Sequence, residues 1–292
     1  MASRLFRTCL LAGLLALLSW PQSAALADNP PDPLFARLSS LWIDGGFDST
    51  DSRSGHASLD LAIGESSRVR LGAGTDVIAL GGDDLDAKSV RAGLTLGGLG
   101  NFDLGADYSY WGDPSEIVNQ TGRLTVKAHL GDWDLAVIPE YRQYQMYTRP
   151  ILGIRREVEF ESTGWGAALD YWPSDRLHFR LNGSAYSYSK DVTRLDTARA
   201  QLVFSSKAFT LAAGLLDRYL NAEFGYHGEV IGLTLYHTRT VSAIDLSNVN
   251  FSGAVLTFYI SRSVTVELEG GVGNSDRYAD TSYGNLAMGL HW

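Results

Sequence analysis

His56, Ser58 and Asp60 fall on one face of a strand-like stretch and supply the residue types that acyl transfer uses: a nucleophile, a base and an acid to orient it. Their spacing weighs against that chemistry. Positions i and i+2 of a strand lie roughly 7 Å apart, whereas a nucleophile and its base need about 2.6–3.2 Å. His227 and His237 lack a serine and amide set that would make a phospholipase. Gly72-Ala73-Gly74 is no nucleotide-binding turn, because it lies within strand-like sequence and no helix follows. The run Asp83-Asp84-Leu85-Asp86 is acidic but lacks the ordered spacing of a calcium loop, so a solvated loop is expected. The single cysteine, Cys9, rules out a disulfide framework. Neither catalysis, a metal nor a cofactor is expected.

What remains is charge on one side of alternating segments. Ala57, Leu59, Leu61 and Ile63 alternate with Ser58, Asp60 and Ala62; Phe102, Leu104, Ala106, Tyr108 and Tyr110 alternate with Asp103, Gly105, Asp107 and Ser109. Period two of this kind is the strand period, not the helix period. It recurs around Leu124–Leu130, Trp133–Val137, Trp165–Tyr171, Leu177–Leu181, Ala198–Phe204, Ile231–Leu235, Ala254–Ile260 and Val264–Leu268. Tight turn formers (97–101, 131–132, 173–175, 261–263) separate some segments. Longer polar stretches (48–55, 81–86, 112–121, 148–156, 190–193, 273–280) separate others.

The ends place these strands. Arg4 and Arg7, an apolar run from Cys9 to Trp20, and Ala25-Leu26-Ala27 follow the order of a cleaved secretory signal, so residues 1–27 are expected to be removed. Residues 28–36 read as a short periplasmic leader and 37–292 as one barrel domain. After the signal no stretch nears the roughly 18 apolar residues of a membrane helix. At the other end Leu286, Met288, Leu290 and Trp292 alternate with small or polar neighbours. This terminal strand resembles the C-terminal signature of Gram-negative outer-membrane β-barrel proteins, whose assembly machinery reads it. The resemblance covers the whole exported chain and implies a porin-like fold, an outer-membrane location, and contact with lipid, lipopolysaccharide, periplasmic chaperones and the barrel-assembly machinery.

The fold class expected is therefore all-β: a closed, antiparallel transmembrane barrel with an even number of strands, sixteen favoured over fourteen. Backbone groups in hydrocarbon have no water to bond, so an open sheet is excluded. Aromatics near strand ends (Tyr108, Tyr110, Trp133, Trp165, Tyr171, Phe258) fit interfacial girdles. If apolar faces meet lipid, the opposite faces line the lumen. The lumen-lining candidates are then Asp60, Asp103, Asp107, Arg123, Lys127, His129, Arg176, His178, Arg180, Glu267 and Glu269, with Asp134 and Glu140 on the same faces. In the hairpin 101–130 a loop centred near Glu116 sets Asp107 opposite Thr125–Lys127 and Asp103 near His129.

A formal charge of −9, made more negative by loss of Arg4 and Arg7, disfavours nucleic acid and favours cations. The function expected is a channel or transporter for small polar solutes or an exported polymer. The alternative is a filled barrel with a structural or envelope-biogenesis role. An outer-membrane lipid hydrolase comes third: His56-x-Ser58 resembles the lipid A deacylases, but the flanking residues do not extend the match.

Overall fold

The computed structural model describes residues 38–64, 66–79, 84–147, 157–194, 214–277 and 279–292. The expected signal (1–27), the leader (28–36) and the strand expected at Ala198–Phe204 lie outside them. Fourteen strands follow in order: β1 (Ser40–Asp48), β2 (Arg53–Ile63), β3 (Ser67–Ile78), β4 (Leu85–Leu96), β5 (Phe102–Asp113), β6 (Ile117–Leu130), β7 (Trp133–Tyr147), β8 (Glu157–Ser174), β9 (Leu177–Tyr188), β10 (Leu216–His227), β11 (Ile231–Ser242), β12 (Asn248–Ser261), β13 (Val264–Ser275) and β14 (Thr281–His291). Each pairs antiparallel with its neighbour, and β1 pairs with β14 from Ser40↔His291 to Asp48↔Tyr283. Backbone bonds between Ser39 and Trp292, 3.0 and 3.1 Å long, extend that seam to the end of the chain. No strand edge remains in the ring, as a sheet surrounded by hydrocarbon requires.

The count is fourteen, where sixteen was favoured. The strands are longer than a bare membrane crossing of about 9–11 residues, reaching 18 in β8. The stretch 112–121, expected as a long loop, is almost all strand, since β5 runs to Asp113 and β6 starts at Ile117. Val241–Leu246 is not a strand of its own: β11 runs to Ser242, and a turn follows. Conversely the stretch Leu215–Phe224, whose weak alternation reads equally as a loop or a strand end, belongs to β10 from Leu216 onward. Arg218, Leu220, Ala222, Phe224 and Tyr226 face outward there, and Tyr219, Asn221, Glu223 and Gly225 face inward.

Both described chain ends and the short turns (64–66, 97–101, 131–132, 175–176, 228–230, 262–263) lie at one end of the barrel, here the turn end. In the two-residue turn Gly131-Asp132, Gly131 has φ +69°, a conformation glycine takes without steric cost. The connections at the other, loop end include the longest, 148–156 and 189–215.

Period two decides the two faces. Leu124, Val126, Val137, Trp165, Leu256 and Met288 point outward and are exposed. An apolar belt continued around every strand exceeds what a monomer presents to water, and it matches hydrocarbon. Near the turn end, Trp133, Tyr171, Phe179 and Phe224 are directly opposed across β7–β10, with ring centroids 4.1, 6.4 and 5.0 Å apart. This ladder forms one arc of an interfacial girdle. Tyr108 and Trp165 fall mid-strand instead of at an end.

Candidate functional site

Ten of the eleven lumen candidates occupy the inward parity of their strands. Arg176 does not. It lies in the β8–β9 turn, before the strand has begun, and its exposed guanidinium pairs with Glu229 of the next turn at 2.9 Å.

At the turn end three polar groups hold adjacent strands together from inside. Asp60 accepts from Arg68 at 2.7 Å and from Arg70 at 3.0 Å. His129 sits between Asp103 (2.9 Å) and Asp134 (2.7 Å), with Lys127 3.5 Å from Asp134. Asp170 receives His178 at 3.1 Å and Arg180 at 3.4 Å, and Trp172 stacks on the His178 ring at 4.2 Å. The acid-against-base hairpin expected between residues 101 and 130 is present with its register moved: Asp103 opposes Lys127 and Asp107 opposes Arg123. The turn 114–116 is centred on Ser115, one residue before Glu116, and Asp103 lies beside His129 as expected.

Midway along the strands the charges separate into two walls. On one, Glu140 of β7 accepts from Arg123 Nε (2.7 Å) and Nη2 (2.6 Å) and also from Arg142 Nε, all three side chains being buried. Arg142 also donates to Tyr186 Oη at 2.8 Å, and its guanidinium lies 4.3 Å from the centre of that ring. Arg91 of β4 and Asp107 of β5 complete this wall, giving three guanidinium groups against two carboxylates. The other wall carries Glu267 and Glu269 of β13 and Asp44 of β1, with His56 of β2 bonded to Asp44 at 3.2 Å. β6 and β13 are seven strands apart in either direction around the ring, so Arg123 and Glu269, both mid-strand, stand diametrically opposed.

Large inward rings are accommodated by glycine. Tyr236 is directly opposite Gly253, and Tyr283 is directly opposite Gly271; a Cβ on either glycine would collide with the tyrosine ring. Their hydroxyls meet at 2.6 Å, and Tyr236 donates to Glu269. On the loop side the interior becomes apolar. Tyr144, Phe160, Val192, Leu215 and Ile244 form one buried cluster, and Ile78, Leu85, Trp111 and Ile117 form another, with Met146 touching both. Ala243 donates to the carbonyl of Leu215 at 2.6 Å, which ties the β11–β12 connection to the residues ahead of β10.

The acyl-transfer set is not assembled. Both ring nitrogens of His56 face carboxylates, Asp44 at 3.2 Å and Asp76 at 3.3 Å, and Asp60 is committed to Arg68 and Arg70. His237 faces outward and bonds Ser252. Of the acidic loop, Asp83 lies outside the described residues, and Asp86 pairs with Lys88 on the outer surface at 2.6 Å. Among the described residues no three His, Cys, Asp or Glu side chains converge to hold a metal ion. Asp44, Asp76, Arg91, Arg142 and Glu223 line the lumen and were not among the candidates. Parity alone finds them, since each is an even number of residues from an inward neighbour on its strand.

No family model and no curated protein matches this sequence. Solved structures do. The chain is similar to CdiB from Acinetobacter baumannii (TM-score 0.50, 13% identity), with 88% of this chain and 60% of that one covered. The NanC porin (TM-score 0.46, 9% identity; 86% and 98% covered) and Pseudomonas aeruginosa OpdK with vanillate (0.45, 8%; 87% and 98%) are also similar. At these identities the likeness is one of fold, and the porin-like closed barrel that the terminal strand resembles is the fold observed.

Proposed function

We propose that this protein sits in the bacterial outer membrane as a channel for small polar solutes, selecting by charge at mid-depth. The observation that carries the reading is the opposition of a basic wall on β4–β7 to an acidic wall on β13–β1. Opposite charges on facing walls set up a field across the lumen. A solute with a dipole or a charge aligns in such a field, and a neutral apolar one gains nothing from it. The acids on the β13–β1 side outnumber their bases, which favours cations. A barrel of this width also has room for water unless side chains or loops fill it.

A second reading has its own observation. The two apolar clusters on the loop side, together with the low exposure of the mid-depth charges, suit a filled barrel with a structural or envelope-biogenesis role. One measurement separates the two. Refolded protein in a planar bilayer between unequal KCl solutions should give discrete steps and a reversal potential on the cation-selective side. Silence across many insertions, with heat-dependent gel mobility showing a folded barrel, removes the channel and leaves the filled barrel.

A further inference from the structure

His237 of β11 and Ser252 of β12 are directly opposed across their strand pair, although 15 residues separate them along the chain. His237 Nδ1 and Ser252 Oγ lie 2.8 Å apart on the outer face of the barrel, within the about 2.6–3.2 Å that a nucleophile and its base need. Polar groups on a lipid-facing strand cost stability, so the pair calls for a role. Toward the turn end the same two strands carry Leu235 opposite Ala254 and then Leu233 opposite Leu256, with Leu235 and Leu256 exposed. Toward the loop end they carry Arg239 opposite Asn250. The pair therefore marks the border between apolar and polar surface. In a bilayer that border is where acyl ester bonds lie, between the hydrocarbon and the phosphate.

We propose that Ser252 and His237 form a nucleophile–base dyad that cleaves an acyl ester of a phospholipid lying against β11 and β12. The activity is separate from conduction, because the pair faces away from the lumen, and it reverses the expectation that His237 lacks a serine partner. An acyl chain lies along Leu233, Leu235 and Leu256, and Arg239, roughly 7 Å further along the strand, meets the phosphate. Arg239 gives Nε and Nη2 to Asn248 Oδ1 at 3.2 and 2.8 Å, and its Nη1 carries two more donors. Ser252 Oγ bonds to the ester carbonyl carbon as its proton passes to His237 Nδ1; the ester C–O bond then breaks, and the lysophospholipid leaves as an alcohol with that proton. Water, deprotonated by the same nitrogen, releases the fatty acid, and the proton returns to Oγ. Among the described residues no carboxylate bonds the other ring nitrogen of His237, so turnover falls well below that of an enzyme with a complete triad.

The test uses protein refolded from denaturant into mixed micelles of detergent and phosphatidylethanolamine, with heat-dependent gel mobility confirming that each variant is folded. Fatty acid release is followed, and a fluorophosphonate probe is mapped by mass spectrometry. The wild type should release fatty acid and take the label on Ser252. Ser252→Ala should lose both, and His237→Asn should slow both by about a hundredfold or more, the usual contribution of a general base. Ser187→Ala, an outward serine of β9 opposite Thr163, should change neither. Arg239→Gln should raise KM for the phospholipid at unchanged kcat and leave an uncharged monoacylglycerol unaffected. No release and no label in the wild type, or release that persists in Ser252→Ala, overturns the dyad. Equal effects of Arg239→Gln on the two substrates overturn the phosphate contact.

Discussion

Glu140→Gln removes the one carboxylate that two buried arginines share. Arg123 donates two hydrogen bonds to it, at 2.7 and 2.6 Å, and Arg142 donates through Nε. Glutamine keeps the shape and one carbonyl acceptor, but deletes the charge and turns an NH2 toward a guanidinium. Deleting one partner of a buried ion pair costs about 3–5 kcal/mol, because the other charge is left in low dielectric. Each arginine keeps some support here: Asp107 stands opposite Arg123, and the hydroxyls of Tyr186 and Tyr144 lie 2.8 and 3.3 Å from Arg142. That places the expected loss at the low end, about 3 kcal/mol, or more than a hundredfold in the folding equilibrium. The assay is reversible folding into lipid vesicles across a urea series, scored by the fraction migrating as heat-modifiable barrel. The double variant Glu140→Gln, Arg142→Gln relieves one stranded charge, so it should cost less than the sum of the two single changes. A loss below about 1 kcal/mol for Glu140→Gln would show that water reaches these groups and screens them, and the reasoning from burial would fail.

Neighbouring residues on β6 should respond oppositely to the same new charge: Leu124→Arg, on the 56%-exposed outward face, should cost about 2–4 kcal/mol in vesicle folding, whereas Thr125→Arg should be nearly neutral. Equal costs would mean that the outer face is not in lipid. At the loop end, Asp276 accepts from the backbone N and side-chain Nδ2 of Asn248 at 3.0 and 2.9 Å, and the side-chain bond above all holds its carboxyl below the usual carboxylate range. A depressed value stabilises the clasp above the unfolded value near pH 4 and lets it go as pH falls through the lower folded one. Protection of the amides in the β13–β14 connection, corrected for the intrinsic pH dependence of exchange, should therefore fall in acid, and Asn248→Ala should reduce that fall.

The outer surface was the legible part of this fold. Lipid tolerates few polar side chains, so Leu286, Met288 and Leu290, or Leu124 and Val126, print the strand period directly into the sequence. Inside the barrel both large and small, charged and apolar residues are allowed, and the pattern fades. Tyr219, Asn221 and Glu223 on β10 were unreadable for that reason. Gly253 and Gly271 resemble strand breakers until Tyr236 and Tyr283 are seen lying over them. Sixteen strands were favoured over fourteen because hydrogen bonding carries strands past the bilayer: most of 112–121, read as a loop, is strand, with β5 running to Asp113 and β6 starting at Ile117. Arg176 was placed by parity alone, which cannot tell the last residue of a turn from the first of a strand.

Charge inside a barrel is forced by exclusion from lipid, so its presence says little about transport; its matching says more. Along β5–β9 the cations and acids are interlocked: Asp170 holds His178 and Arg180, and Glu140 holds Arg123 and Arg142. A solute ion arriving there would have to break bonds already made. On β13 and β14 the balance differs, since Glu267 and Asn285 retain acceptors with no donor. In the proposed channel a solute donor arriving there would have no existing bond to break. In the proposed channel the stiff, ion-paired arc and the apolar packing above it would hold the opposite wall in place, and selectivity would follow from where the pairing is incomplete. Neutralising the acids of β13 should therefore alter ion selectivity while leaving folding nearly intact, the reverse of what Glu140→Gln should do.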